Sequence, residues 1–114
     1  MTEFLLSAQT SHRPTISLVL PIRNRQTEIT RRVEGLLLTL ASLSLERLEI
    51  ILVDDGSRDE TLSTIQRLSA RYAEVTVIAH PRPRGLEAAG QTGLERATGE
   101  LVFIQECDRT PNVP

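Results

Sequence analysis

The sequence predicts an α/β domain, a three-layer sandwich in which helices cover both faces of a mainly parallel sheet. Short, partly β-branched apolar runs alternate along the chain with stretches whose apolar residues recur at helical spacing. The apolar runs are nearly continuous, as expected for strands that are buried on both faces. The resulting order is β-α-β-α-β-α-β within 114 residues, the size of one small domain.

Each element follows from a local pattern. Strands are expected at residues 15–20, 48–53, 75–79 and 101–104. The spacing of apolar residues predicts a first helix from about residue 26 to residue 42. The second helix is expected to begin at a capping box formed by Ser57 and Glu60, and the third to run from Leu86 until Gly99 closes it. Residues 1–14 are expected to form an N-terminal tail and residues 15–114 the domain.

The composition excludes several classes of function. All 13 basic residues are arginine, so a lysine Schiff base and a P-loop lysine are impossible. A formal net charge of −2 and only three aromatic residues make nucleic acid an unexpected partner. The single cysteine, Cys107, excludes an internal disulfide and a cysteine-cluster metal site. No apolar run approaches 18 residues and no signal peptide precedes the domain, so we expect a cytoplasmic protein without a membrane segment.

The loops that follow the predicted strands are the expected binding region. Ligands of parallel α/β sheets bind outside the carboxyl ends of the strands. The four loops concerned are residues 21–25, 54–57, 80–85 and 105–109.

Charged residues concentrate in these loops. Four carboxylates at one edge of a sheet would repel each other, which favours neutralisation by a divalent cation such as Mg²⁺ or Mn²⁺ or by a hydrogen-bonding ligand. Arginine side chains on neighbouring loops can bind phosphate oxygens through two hydrogen bonds each. Together they predict a site for a nucleoside diphosphate. The carboxylates are Asp54, Asp55, Glu106 and Asp108, and the arginines are Arg23, Arg25, Arg82 and Arg84.

Each of these features also has an ordinary structural interpretation. The segment at residues 54–57 is compatible with a simple helix-capping turn. Acidic residues at a strand end are usually solvated, and an arginine- and proline-rich loop is often only a connector. Cys107 is better explained as a small packing residue than as a nucleophile. For His80, a loop position without a role is the favoured interpretation.

Taken in chain order, the loops resemble the family 2 glycosyltransferases, which have the GT-A fold. Residues 16–24 (ISLVLPIRN) resemble the opening strand and P-x-x-N turn of that family, and residues 49–59 (EIILVDDGSRD) resemble its E-I-I-V-V-D-D-G-S-x-D segment. Residues 84–86, 92–94 and 97–100 resemble its glycine-rich third segment. Residues 103–108 (FIQECD) fall at its D-x-D metal motif, and the glutamine there is similar to the polyprenyl-phosphate branch, which includes dolichol-phosphate mannose synthase.

The resemblance implies a Rossmann-like half of the GT-A fold that binds a nucleotide-diphosphate sugar. It implies that residues 21–25 together with Asp54 and Asp55 hold the base and ribose, and that Asp108 and Glu106 ligate the metal. The metal would stabilise charge on the leaving nucleoside diphosphate. The full set of residues expected at the sugar-nucleotide site is Pro21, Ile22, Arg23, Asn24, Arg25, Asp54, Asp55, Gly56, Arg84, Gly85, Glu106 and Cys107.

Two departures from the family leave the activity open. Glu106 replaces the first aspartate of the metal motif, and Arg109 adds a positive charge beside it. The chain also ends six residues after Asp108, before the acceptor-binding half and its catalytic base, so it is expected to be either a fragment or a short natural protein. The alternative is a degenerate, non-catalytic module that binds a nucleotide or a protein. A receiver-like signalling domain also has an acidic pair after a strand, at its phosphoacceptor site. It is disfavoured because that chemistry resembles a family that uses a lysine, and this chain has no lysine.

The resemblance further implies the strand order 3-2-1-4, which leaves the fourth strand at an edge of the sheet. Exposed strand edges invite pairing. We therefore expect a second copy of the chain to cover this edge, giving a homodimer.

Overall fold

The computed structural model of the protein describes residues 12–106 and confirms the predicted alternation of strands and helices. The elements are β1 (Thr15–Ile22), α1 (Ile29–Leu40), β2 (Arg47–Asp55), α2 (Thr61–Arg71), β3 (Val75–His80), α3 (Leu86–Arg96) and β4 (Leu101–Ile104). No helix of this part of the chain has both the length and the apolar character needed to cross a membrane.

The four strands form one parallel sheet in the expected order β3-β2-β1-β4. Ile22 of β1 lies opposite Asp54 of β2, and Asp55 lies opposite His80 of β3. The carboxyl ends of β1, β2 and β3 therefore meet at one edge of the sheet, here called the carboxyl edge. The loops that follow these strands are neighbours in space.

Helices cover both faces of the sheet, which makes the three predicted layers. Helices α1 and α2 lie on one face, over a core that includes Leu20, Ile50 and Leu52. Helix α3 lies on the other face, over a smaller core of Val19, Ile51, Val53 and Ala89. Because side chains alternate along a strand, each central strand contributes to both cores.

Close contact between α3 and the sheet depends on Gly93. A Cβ atom at Gly93 would overlap the side chain of Val19, which is fully buried. Glycine lowers helix stability by roughly 1 kcal/mol relative to alanine. Here it allows the helix to approach the strand closely, so the loss is offset by packing.

Three strands extend further than predicted, which is a correction to the expected loop boundaries, and β3 is one of them because it continues through His80. Strand β1 continues through Pro21 and Ile22, and β2 continues through Asp54 and Asp55. Residues two apart in a strand direct their backbone polar groups to the same neighbour. The Val19 carbonyl accepts the Gln105 N–H, so the nitrogen of Pro21, which has no hydrogen to donate, faces the side of β4. Pro21 is tolerated there because β4 ends at Ile104, before it would face Pro21.

The ends of the first two helices also differ from the prediction. Helix α1 is shorter than the expected 26–42. The predicted capping box is wrong, because Ser57 lies outside α2 and Glu60, at the N-cap, makes no side-chain capping hydrogen bond. Asp59 binds the first residue of α2 instead. Its Oδ1 accepts hydrogen bonds from the Thr61 N–H at 2.9 Å and from the Thr61 hydroxyl at 2.5 Å.

A polar cluster near the amino ends of the strands holds the start of β4 against the rest of the sheet. The Glu49 carboxylate accepts hydrogen bonds from the Ser17 hydroxyl and from both the backbone N–H and the hydroxyl of Thr98. Ser17 Oγ in turn accepts the Gly99 N–H at 2.8 Å. Burial raises the pKa of Glu49, but these hydrogen bonds outweigh it and the net shift is downward.

Strand β4 lies at the edge of the sheet, and all four of its side chains are exposed. Phe103 is 52% exposed and Ile104 is 47% exposed. Within residues 12–106, nothing pairs with the outer edge of β4. The exposed apolar edge predicted from the sequence is thus present, and self-association through it stays a prediction.

Candidate functional site

The turn after β1 is built around Asn24. Its backbone has a left-handed conformation, with φ of 54°, which asparagine adopts more readily than most residues. Its N–H donates to Ser57 Oγ at 2.8 Å, and its side-chain Oδ1 accepts the Arg58 N–H at 2.8 Å. Asn24 therefore joins the turn after β1 to the loop after β2.

Two more hydrogen bonds hold these loops together. The Arg25 N–H donates to Thr61 Oγ1 at 2.7 Å. The Glu60 N–H donates to Gln26 Oε1 at 2.7 Å. With the contacts of Asn24, they make residues 23–28 and 56–61 one connected surface at the carboxyl edge.

Asp54 shapes its own turn. Its Oδ2 accepts the Ser57 N–H at 3.1 Å, and its Oδ1 accepts the Ser57 hydroxyl at 2.5 Å. Because that hydroxyl donates to Asp54, its oxygen can accept the Asn24 N–H. The carboxylate of Asp54 is buried, and it fixes the position of Ser57 in the loop through these two hydrogen bonds.

Asp55 connects β2 to the loop after β3. Its Oδ1 accepts the Arg84 N–H at 2.9 Å and lies 2.8 Å from His80 Nδ1, and its Oδ2 accepts the Gly85 N–H at 2.9 Å. Burial raises the pKa of Asp55, but the hydrogen bonds from Arg84, His80 and Gly85 outweigh it and the net shift is downward. Asp55 is therefore held as a carboxylate.

Gly56 brings the loops after β2 and β3 into direct contact. Its φ is 69°, and a Cβ atom there would lie 2.5 Å from Pro83 N and 2.8 Å from Arg82 C. Only glycine fits this conformation and this distance. The loops after β1, β2 and β3 thus form one continuous surface.

The predicted site residues divide into three groups. Pro21, Ile22, Asp54 and Asp55 are buried at or near the carboxyl edge and act through the loops that they hold. Arg23, Asn24, Arg25, Gly56, Arg84, Gly85 and Glu106 are half-buried or exposed. Cys107 and Asp108, as well as Arg109, lie outside the described residues.

Two of the four carboxylates, Asp54 and Asp55, need no cation for their own stability. Asp54 and Asp55 are on opposite faces of β2 because they are adjacent in a strand. Each is surrounded by its own hydrogen-bond donors. Their negative charges are therefore balanced locally.

Positive charge remains available at the carboxyl edge. Arg82 and Arg84 are exposed in the loop after β3, and Arg23 follows β1. The Nε atom of Arg23 is buried, and no residue among 12–106 accepts its hydrogen bond. An acceptor from a bound anion would satisfy it.

A metal site would have to draw on more than the described residues. Within residues 12–106, no three His, Cys, Asp or Glu side chains lie close enough together to hold a metal ion. Glu106 contributes one exposed carboxylate at the end of β4. One or two carboxylates together with substrate phosphates are a usual set of ligands for Mg²⁺, so Glu106 fits as part of such a set.

The prediction that His80 lies in a loop is wrong. His80 ends β3 and is 6% exposed, and both of its ring nitrogens have hydrogen-bond partners. The sequence signal that could have found it is its place directly after the apolar-rich run of residues 75–79.

A surface groove of about 720 Å³ lies away from this site. It lies at the amino ends of the strands, where leucines such as Leu37, Leu43 and Leu48 line it together with Glu34, Glu46 and Glu74. These carboxylates do not match a negatively charged ligand.

Comparison with known proteins identifies the family. The sequence model of glycosyl transferase family 2 matches residues 17–112. Over 98 residues, the chain is 38% identical to an undecaprenyl-phosphate 4-deoxy-4-formamido-L-arabinose transferase of Pseudomonas savastanoi, covering 82% of this chain and 28% of that protein. Over 102 residues, it is 31% identical to a dolichol-phosphate mannosyltransferase of Mycosarcoma maydis, covering 87% and 35%.

A solved structure agrees with this assignment. The mannosyltransferase PcManGT from Pyrobaculum calidifontis, in complex with GDP-Man and Mn²⁺, superposes with a TM-score of 0.75 at 27% identity. The match covers 87% of this chain and 29% of that one. The chain thus spans about a third of the length of the proteins that it matches. With its parallel sheet, its joined carboxyl-edge loops and these matches, the chain belongs to glycosyl transferase family 2.

Proposed function

We propose that the carboxyl edge binds the nucleoside diphosphate of a nucleotide-activated sugar, as the donor-binding part of a glycosyltransferase. The observation that carries this proposal is the joining of three loops by Asn24, Gly56 and Asp55. A surface built in this way is rigid before a ligand arrives, which lowers the entropic cost of binding. PcManGT, which has the same fold, is known in complex with GDP-Man and Mn²⁺.

The charges divide the site into two parts. We assign the residues around Asn24 and Gly56 to the base and ribose, with Asp54 and Asp55 supporting them from within the sheet. We assign Arg23, Arg82 and Arg84 to the phosphate oxygens, because guanidinium groups bind phosphate through paired hydrogen bonds. The buried Nε of Arg23 supports this assignment.

A divalent cation, Mg²⁺ or Mn²⁺, is part of the proposal. Glu106 and Asp108 would hold it, and it would stabilise negative charge on the nucleoside diphosphate that leaves. The names of the relatives suggest a polyprenyl phosphate as one class of acceptor. Because the chain spans only about a third of those relatives, we assign no acceptor site and no catalytic base to residues 12–106.

Isothermal titration calorimetry with GDP and with UDP, each with and without MnCl₂, tests the proposal. We expect one of the two nucleotides to bind and Mn²⁺ to tighten binding, while Glu106→Ala removes most of the metal effect. Glu95→Ala is the matched control, because Glu95 is an exposed carboxylate on α3. Failure of both nucleotides to bind folded protein at millimolar concentration would contradict the proposal.

The second candidate is the non-catalytic module, which the glutamate at position 106 favours. Its signature in the same titration would be nucleotide binding that does not depend on Mn²⁺ and is unaffected by Glu106→Ala.

A further inference from the structure

His80 is a buried polar side chain to which the proposed site assigns no role. It stands directly opposite Asp55 in the register of β3 with β2. Its ring nitrogens lie 2.8 Å from Asp55 Oδ1 and 2.9 Å from Thr92 Oγ1 of α3. His80 therefore connects the sheet to the helix that covers it.

The hydrogen-bond partners determine the orientation of the protons in neutral His80. An ionised carboxylate only accepts hydrogen bonds, so Nδ1 must carry the proton and donate it to Asp55. In the neutral ring Nε2 is then an acceptor, and the Thr92 hydroxyl donates to it. The tautomer is thus determined by Asp55, and the Thr92 hydroxyl, which can donate or accept, donates to Nε2 in this tautomer.

Asp55 carries this network to the loop after β3. Its two oxygens accept the backbone N–H groups of Arg84 and Gly85. A carboxylate can present its oxygens to these two groups only in one orientation of its plane. The hydrogen bond from His80 restricts the rotation that would turn Oδ1 away from Arg84.

We infer that His80 is a positioning residue of the donor site: through Asp55, it holds the backbone of Arg84 and Gly85 where a phosphate group would bind. The ligand class follows from the exposed arginines of that loop. The part that concerns a ligand rests on the proposed function. The part that concerns the position of the loop does not.

Two conservative variants separate the two halves of the network. In His80→Asn, the shorter amide can place its NH₂ near the position of Nδ1 and donate to Asp55. In His80→Gln, the longer side chain can reach towards Thr92 in place of Nε2. His12→Asn is the matched control, because His12 is the other histidine and is exposed.

Amide hydrogen exchange of Arg84 and Gly85, measured by NMR without nucleotide, tests the position of the loop. We expect His80→Gln to accelerate exchange at these two amides about tenfold or more, as loss of a hydrogen bond to a charged group would. We expect His80→Asn to stay within about threefold of wild type. Exchange at Leu20 and Leu52 amides, within the central strands, gives the global stability of each variant.

Nucleotide affinity is the second readout. If GDP or UDP binds, the affinity for that nucleotide should fall about tenfold in His80→Gln and be retained in His80→Asn. This order should hold whichever of the two variants has the higher free energy of unfolding. Equal exchange at Arg84 and Gly85 in all variants, after correction for global stability, would overturn the inference. Absence of nucleotide binding by wild type would instead overturn the proposed function, while the exchange result would still decide the role of His80.

Discussion

The N–H of Asn24 donates to Ser57 Oγ at 2.8 Å, and Ser57 in turn donates to the buried Asp54. This relay connects the ends of two adjacent parallel strands through one hydroxyl group. It fixes the turn after β1 relative to the loop after β2 without using an exposed charge. Arg23, Arg82 and Arg84 take no part in this relay.

Substitution of Asn24 tests how much its left-handed backbone matters. We expect Asn24→Ala to be about 1 kcal/mol less stable than Asn24→Gly, because alanine resists a positive φ that glycine adopts freely. Both lose the hydrogen bond from the Arg58 N–H. Urea unfolding of the two variants measures the difference, and equal stabilities would contradict this explanation.

Gly56 is expected to tolerate no side chain. Gly56→Ala should cost about 2 kcal/mol or more, because both its φ and the neighbouring Pro83 exclude a Cβ atom. Gly35→Ala is the control, since a Cβ at that exposed position of α1 meets nothing within 4 Å. It should be neutral or stabilising by about 0.5–1 kcal/mol in the same thermal or urea unfolding. A mild effect at Gly56 would show that its loop can move away from Pro83.

The stability of the protein should fall in acid partly through Asp55. Its pKa is lowered from 3.8 in the folded state, so its contribution is complete above the unfolded value. As pH falls, the unfolded chain takes up the proton first, and the contribution is lost through the folded pKa, which lies below 3.8. Urea unfolding from about pH 6 to about pH 3 should show a steeper decline for wild type than for Asp55→Asn. Parallel curves would contradict the assignment.

The exposed apolar strand β4 predicts self-association of the 114-residue chain. We expect light scattering to detect dimers whose population falls in Phe103→Ser, because Phe103 is half-exposed beside an unpaired strand edge. Leu38→Ser removes an even more exposed apolar side chain, from α1, and should leave the dimer unchanged. A strictly monomeric chain at high concentration would show that no second copy covers β4.

The sequence predicts the layers of this fold well and the details of its carboxyl edge less well. Continuous apolar runs identify strands because burial on both faces requires them. Residues such as Pro21 and Asp54 are typical of turns. They belong to strands here because β4 ends before it would face Pro21 and because Ser57 donates hydrogen bonds to the Asp54 carboxylate. The sequence contains no local signal for the register that pairs Asp55 with His80. The contact between His80 and Asp55 therefore follows from the sheet topology and not from a local sequence signal.

For the candidate site as well, the sequence predicts the location of the residues better than their contacts. The acidic segment at residues 54–57 is correctly placed at the carboxyl edge, but its carboxylates point inward to backbone groups. For Asp55 that direction depends on the Arg84 and Gly85 amides, which are distant in the sequence. Asp108 lies outside the described residues, and its role as a metal ligand stays a prediction.

The most direct test of the central claim is paramagnetic relaxation by Mn²⁺ in the presence of GDP or UDP, observed at backbone amides by NMR. If the carboxyl edge is the donor site, the amides of Asn24, Gly56 and Gly85 should broaden when nucleotide and Mn²⁺ are both present. The amides of Leu43 and Leu45, in the surface groove at the opposite edge, should remain sharp. Broadening centred on that groove, or no broadening with either nucleotide, would contradict the account.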